Sequence, residues 1–133
     1  MESKPRLEPE LVRQFVNDSH ADFASVRDLL GRHPALINAA WDWGAGDWET
    51  GLGAAAHMGR KDIAQFLLER GARMDIFAAA MLGLLDIVSA TITAVPEARS
   101  WLGPHGITLL RHAEVGGVEA AAVVDYLKSL AGP

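Results

Sequence analysis

Thr50-Gly51-Leu52-Gly53-Ala54-Ala55-Ala56-His57-Met58-Gly59 runs directly into Arg60-Lys61-Asp62-Ile63-Ala64-Gln65-Phe66-Leu67-Leu68-Glu69-Arg70-Gly71-Ala72. Thr50 is a helix-capping residue, and Gly59 is the residue type that tolerates the left-handed turn closing a helix. A second helix carries Ile63, Phe66, Leu67 and Leu68 at three- and four-residue steps and stops at Gly71. The stretch therefore predicts two short helices joined by a tight turn. Alanine runs favour helix and add little bulk, so neighbours can approach closely.

The same frame recurs on both sides. Asp75 caps Ile76 to Leu82, Gly83 stops that helix, and a partner runs from Asp86 to about Ala94. Thr108-Leu109-Leu110-Arg111-His112-Ala113-Glu114-Val115-Gly116-Gly117 keeps the spacing of threonine and last glycine. Its partner ends with Val123, Val124, Tyr126, Leu127 and Leu130, about two residues later than in the second unit. Ahead of these, Leu7, Leu11, Val12, Phe15 and Val16 predict a helix to about Asn17. Asp22 predicts a cap for a second one, with Gly31 just past its end.

This frame resembles the ankyrin repeat, a turn followed by two antiparallel helices in about 33 residues. Thr50, Leu52, Ala55, Ala56, Gly59, Ile63, Leu67, Leu68, Gly71 and Ala72 fall on the family's pattern positions. Ala79, Ala80, Gly83, Ile87 and Val88 do so in the third unit, and Gly106, Thr108, Leu110, Ala113 and Gly117 in the fourth. The expected fold is all-α: an ankyrin-repeat solenoid of about four helix-turn-helix units with short or clipped β-hairpin fingers. One domain would span residues 1–133, with units at about 7–31, 49–72, 75–95 and 106–131 and a long aromatic loop at 32–48. The segment from Gly71 to Gly83 is too short for a full turn, so the finger there is clipped. Gly51 and Leu109 replace the family's proline, and Gly53, Phe77 and Arg111 its histidine.

The chain of 133 residues has 12 basic and 17 acidic residues, a net charge of −5, and no cysteine. Half of it is hydrophobic, enough to bury a core. The charge argues against a phosphate-backbone binder, and absent cysteine excludes disulfides and thiolate chemistry. No stretch is long and apolar enough to span a membrane, and the polar start is unlike a signal peptide. A cytoplasmic protein is the expectation.

Function candidates concentrate in Trp41-Asp42-Trp43-Gly44-Ala45-Gly46-Asp47-Trp48-Glu49, which holds three of the four tryptophans. Loops carry binding residues, and tryptophan is enriched in interface hot spots. The opposing reading folds the indoles back as cover for the first unit, and for Trp41 cover is preferred. An aspartate at Asp47, just before the helix-opening threonine, also commonly ties this turn. The resemblance places His57, Met81 and His112 on the groove face. The first reading is thus a non-catalytic module that binds a basic protein or peptide through Trp43, Trp48, Asp42, Asp47, His57, Met81 and His112. The alternative is a small-molecule or enzymatic pocket under the Trp-rich loop, with His57 and His105 as acid and base. Self-association through the first unit or the clipped second finger is a third. No cofactor and no metal centre is expected. No H-x-x-x-H or H-E-x-x-H spacing occurs, and units stacked at about 10 Å would hold His57 and His112 about 20 Å apart.

Overall fold

The computed structural model describes residues 3–131 and is mostly helical. Eight α-helices follow in order: α1 (Pro9–Asp18), α2 (Phe23–Arg32), α3 (Gly51–His57), α4 (Lys61–Glu69), α5 (Ile76–Met81), α6 (Leu85–Ala94), α7 (Leu109–Val115) and α8 (Ala121–Leu130). They pack as successive pairs, and α1, α3, α5 and α7 lie side by side in that order. Local chemistry sets the starts. Thr50 Oγ1 accepts the Gly53 N–H at 3.0 Å, Asp75 Oδ1 that of Ala78 at 2.8 Å, and Thr108 Oγ1 that of Arg111 at 3.1 Å. Each occupies one of the four amide donors that a helix start leaves unpaired. Pro9 begins α1, where its missing N–H costs nothing.

Alanine is what lets the inner helices crowd. Ala54, Ala55, Ala56, Ala78, Ala79 and Ala80 are fully buried, and a methyl built on Gly51 would stand 2.7 Å from the Phe15 ring in α1. Around this inner layer lie two cores. Phe15, Val26, Leu36, Leu52, Ile63 and Leu67 dominate the first, and Val88, Leu109 and Val123 the second.

Two expectations on boundaries are corrected. Gly31 lies inside α2, which continues to Arg32, where the Arg32–Asp28 pair closes the exposed last turn. The helix stops at His33 because Pro34 disfavours helical backbone in the residue before it. Residues 32–48 are not an irregular loop either. A 3₁₀ turn at Pro34–Asn38 leads into an antiparallel hairpin of β1 (Ala40–Asp42) and β2 (Trp48–Thr50), paired Ala40↔Thr50, Trp41↔Glu49 and Asp42↔Trp48. The delay before α8 is a 3₁₀ turn at Gly117–Ala120. The short connection after Gly71 is braced by Asn38, whose amide donates to the Gly71 carbonyl at 3.2 Å and accepts the Arg73 N–H at 2.9 Å.

Gly59 closes α3 with φ +66°, and an added methyl would meet the Val115 carbonyl oxygen of α7 at 2.8 Å. Gly71 also has positive φ but open space around it. Left-handed backbone alone costs a non-glycine residue about 1–2 kcal/mol. Gly71→Ala is therefore expected to lose about that much and Gly59→Ala clearly more, read as urea midpoints. Equal losses would mean that α3 and α7 do not meet at this turn.

Candidate functional site

The site forms where four separate segments end. His20 stands in the turn between α1 and α2, Glu49 at the middle of β2, and His57 in the last turn of α3. His105 is at the tip of the short loop bridged by Leu102↔Thr108. β2 alternates, so exposed Trp48 faces one way and buried Glu49 the other. Glu49 has no solvent-exposed side-chain surface. A buried carboxylate must be paired or densely hydrogen-bonded, and this one is. His20 Nε2 lies 3.2 Å from Oε1, His57 Nε2 2.9 Å from Oε2, and His105 Nε2 3.4 Å from Oε2. The Trp43 indole N–H donates to Oε1 at 2.9 Å.

The far nitrogens are also held. His20 Nδ1 donates to the carbonyls of Val16 at 3.0 Å and Asn17 at 2.9 Å. His105 Nδ1 donates to Asp47 Oδ2 at 2.7 Å, and the His105 backbone N–H to Asp47 Oδ1 at 2.8 Å. These two bonds hold His105 at φ +62°, a conformation that a side-chain-bearing residue rarely adopts. The imidazoles of His20 and His105 each lie 5.0–5.3 Å from that of His57.

Burial pushes the Glu49 carboxyl up. Hydrogen bonds from His20 and His57, the His20 charge and the Trp43 N–H together outweigh it and bring the pKa down to about 2. His20 is raised, chiefly by its bond to Glu49, against the opposing effect of burial.

Three imidazoles and one carboxylate make a donor set for a transition ion of the zinc class, not for magnesium or calcium. The four ligand atoms lie within 4.8 Å of one another. A tetrahedral zinc site with bonds of about 2.05 Å has edges of about 3.3 Å. The distances of His57 and His105 to Oε2, 2.9 and 3.4 Å, bracket that edge, and the widest pair in the set has to close by no more than about 1.5 Å. The supports behind His20 and His105 are the kind that metal-bound imidazoles use: a backbone carbonyl and a carboxylate.

The residues expected from sequence divide. His57, Trp43 and Asp47 belong to this cluster. Asp42 instead closes the hairpin turn, accepting the N–H groups of Gly44 at 2.8 Å and Gly46 at 3.0 Å. Trp41 and Trp43 pack against the first core, as cover, whereas Trp48 is 61% exposed. Met81 and His112 do not face a groove; both are fully buried. His112 Nδ1 donates to the Thr108 carbonyl at 2.7 Å, its Nε2 has no partner, and burial lowers its pKa. His57 is joined not by His112 but by His20, Glu49 and His105, which the 102–108 loop carries across to the second helix pair.

The chain matches no protein-family model, no curated protein and no solved structure.

The charge pattern fixes a pH dependence for chelator-treated protein. Glu49's contribution is present above its ordinary 4.5 and fades as pH falls toward about 2. His20's is complete below its ordinary 6.5 and fades as pH rises through its raised value. Stability from urea midpoints should therefore peak between these ordinary values, and Glu49→Gln should flatten the peak. A steady rise from pH 5.5 to 8 would contradict the pairing.

Proposed function

We propose that this chain is a divergent ankyrin-type repeat domain that binds one divalent transition-metal ion, zinc being the reference case, through His20, Glu49, His57 and His105. The carrying observation is the convergence of three Nε2 atoms on one buried carboxylate while His20 and His105 present their opposite nitrogens to oxygen acceptors. A ring flanked by acceptors on both sides is either charged or has a metal in place of one proton. His20 and His105 are two such rings, 6.4 Å apart between centroids, and one ion between them would stand in for a proton on each. Without the ion, the carboxylate is met by the Trp43 N–H and His57 Nε2, each at 2.9 Å, and by His20 Nε2 at 3.2 Å.

The repeat assignment draws on the same cap at Thr50, Asp75 and Thr108 and on positive-φ glycines at 59, 71, 83 and 117. A groove that uses Met81 and His112 has no support from their burial, so the first reading from sequence survives only around Trp48. The alternative from sequence had His57 and His105 close together, and the cluster gives that pair a binding role.

Zinc should bind one-to-one to the metal-stripped full chain by calorimetry and raise its melting temperature. Binding should weaken as pH falls below about 6.5, because the ion competes with protons on imidazole. His57→Ala and His105→Ala should each cost at least a hundredfold in affinity, and Asp47→Asn, which touches only the support of His105, about tenfold. His33→Ala, outside the cluster, should bind as the parent does. Far-UV circular dichroism checks that each variant is folded. Absence of stoichiometric binding, or equal loss in His33→Ala, would overturn the reading.

A further inference from the structure

Trp48 and Leu102 are 61% and 62% exposed, and both line one cleft of about 370 Å³ between the hairpin and the 102–108 loop. Phe77 and Pro104 add apolar surface, and Asp47 and Asp75 add negative charge. No lysine or arginine lines it. Gly53 and Gly103 keep the floor low: a methyl on Gly103 would press the Phe77 ring at 3.2 Å. Asp75, at the end of the short 71–75 connection, stands at the edge of the cleft.

We infer that this cleft docks a basic peptide segment carrying an aliphatic side chain, and that the ion behind it sets the affinity. Trp48, Phe77 and Leu102 offer the apolar anchor surface that interface hot spots use. Asp47 and Asp75, with no lysine or arginine in the lining to offset them, select and steer a cationic partner. The coupling follows from β2. Its Trp48 face forms one cleft wall, and its Glu49 face carries an ion ligand one residue away. The other wall carries Pro104, next to ligand His105. Asp47, itself a lining residue, accepts both the backbone N–H and Nδ1–H of His105. An ion that ties Glu49 to His105 thus ties the two walls together. The regulatory half rests on the metal-binding reading; the cleft itself does not.

Random heptapeptides displayed on phage, selected on the zinc-loaded full chain, supply the probe. Selected sequences should converge on lysine or arginine flanking an aliphatic residue. Synthetic copies should lose at least tenfold in affinity against Trp48→Ala and against Leu102→Ala, both exposed positions whose fold dichroism verifies. Chelation should weaken the same peptides at least fivefold, the low end of ordinary coupling between sites. Failure to converge, acidic selections, or indifference to both substitutions would overturn the cleft. So would a dimer by light scattering that Trp48→Ala abolishes, because a second copy would then be the occupant. Zinc calorimetry on the same samples separates the two readings. Zinc bound without cleft peptides sinks the docking site alone, and peptides bound equally with and without zinc sink the coupling. No zinc bound sinks the metal site.

Discussion

Placing the Glu49 carboxylate where no water reaches it is the constraint around which the local architecture is arranged. An ionised carboxylate out of water is costly unless several donors face it. Here those donors come from four places: the α1–α2 turn, the hairpin itself, the end of α3, and the loop before α7. Charge pairing thus adds to apolar packing in fixing the segments relative to one another. The hairpin, only three residues per strand, is held both by Glu49 and by Trp41 and Trp43 packed against the first core. A two-stranded hairpin of that size has little stability of its own, and Glu49 anchors it from behind while Asp42 closes its turn from the front.

His105 reaches Glu49 across the gap between helix pairs. Between the second and third helix pairs only Ala72–Met74 separate Gly71 from the capping Asp75, and Asn38 holds that connection down. His105 meets Asp47, 58 residues earlier in the chain. At positive φ, its Nε2 stands 3.4 Å from Glu49. The cluster thus joins separate helix pairs at one carboxylate.

Which parts were legible in sequence follows from the range of the interactions. Caps at Thr50, Asp75 and Thr108, and the turn at Gly59, are decided within three or four residues, so residue type and spacing reveal them. The extent of α2 was misread because Gly31 looked like a stop, while the operative stop was Pro34 acting on His33. The cluster was not legible, because its members are spread from residue 20 to residue 105 and no short motif joins them. Glu49 looked like one more acid beside the tryptophans. Period-two alternation across Trp48-Glu49-Thr50 was the signal that could have set it apart, once the segment was recognised as a strand. Met81 and His112 failed for the opposite reason. A variable position in a repeat pattern was taken as exposed, but the alanine-rich inner layer is packed so closely that these side chains are enclosed by the helices alongside.

His57 and His112 show how burial alone does not decide a histidine's chemistry. Both are withdrawn from solvent, but His57 meets a carboxylate and His112 meets the Phe77 ring at 5.0 Å. At His112 desolvation outweighs the Thr108 carbonyl and the Asp75 charge, so the neutral ring is favoured, and it serves as a polar-edged packing residue. At His57 the carboxylate gives Nε2 a hydrogen-bond partner at 2.9 Å. The difference traces to β2. It delivers an acid to the end of α3, whereas no strand delivers one to α7: the corresponding loop there carries His105 where the hairpin carries Asp47, and the two bind each other. The hairpin thus contributes the negative half of the cluster and the later loop a nitrogen donor, so neither helix pair holds the whole cluster.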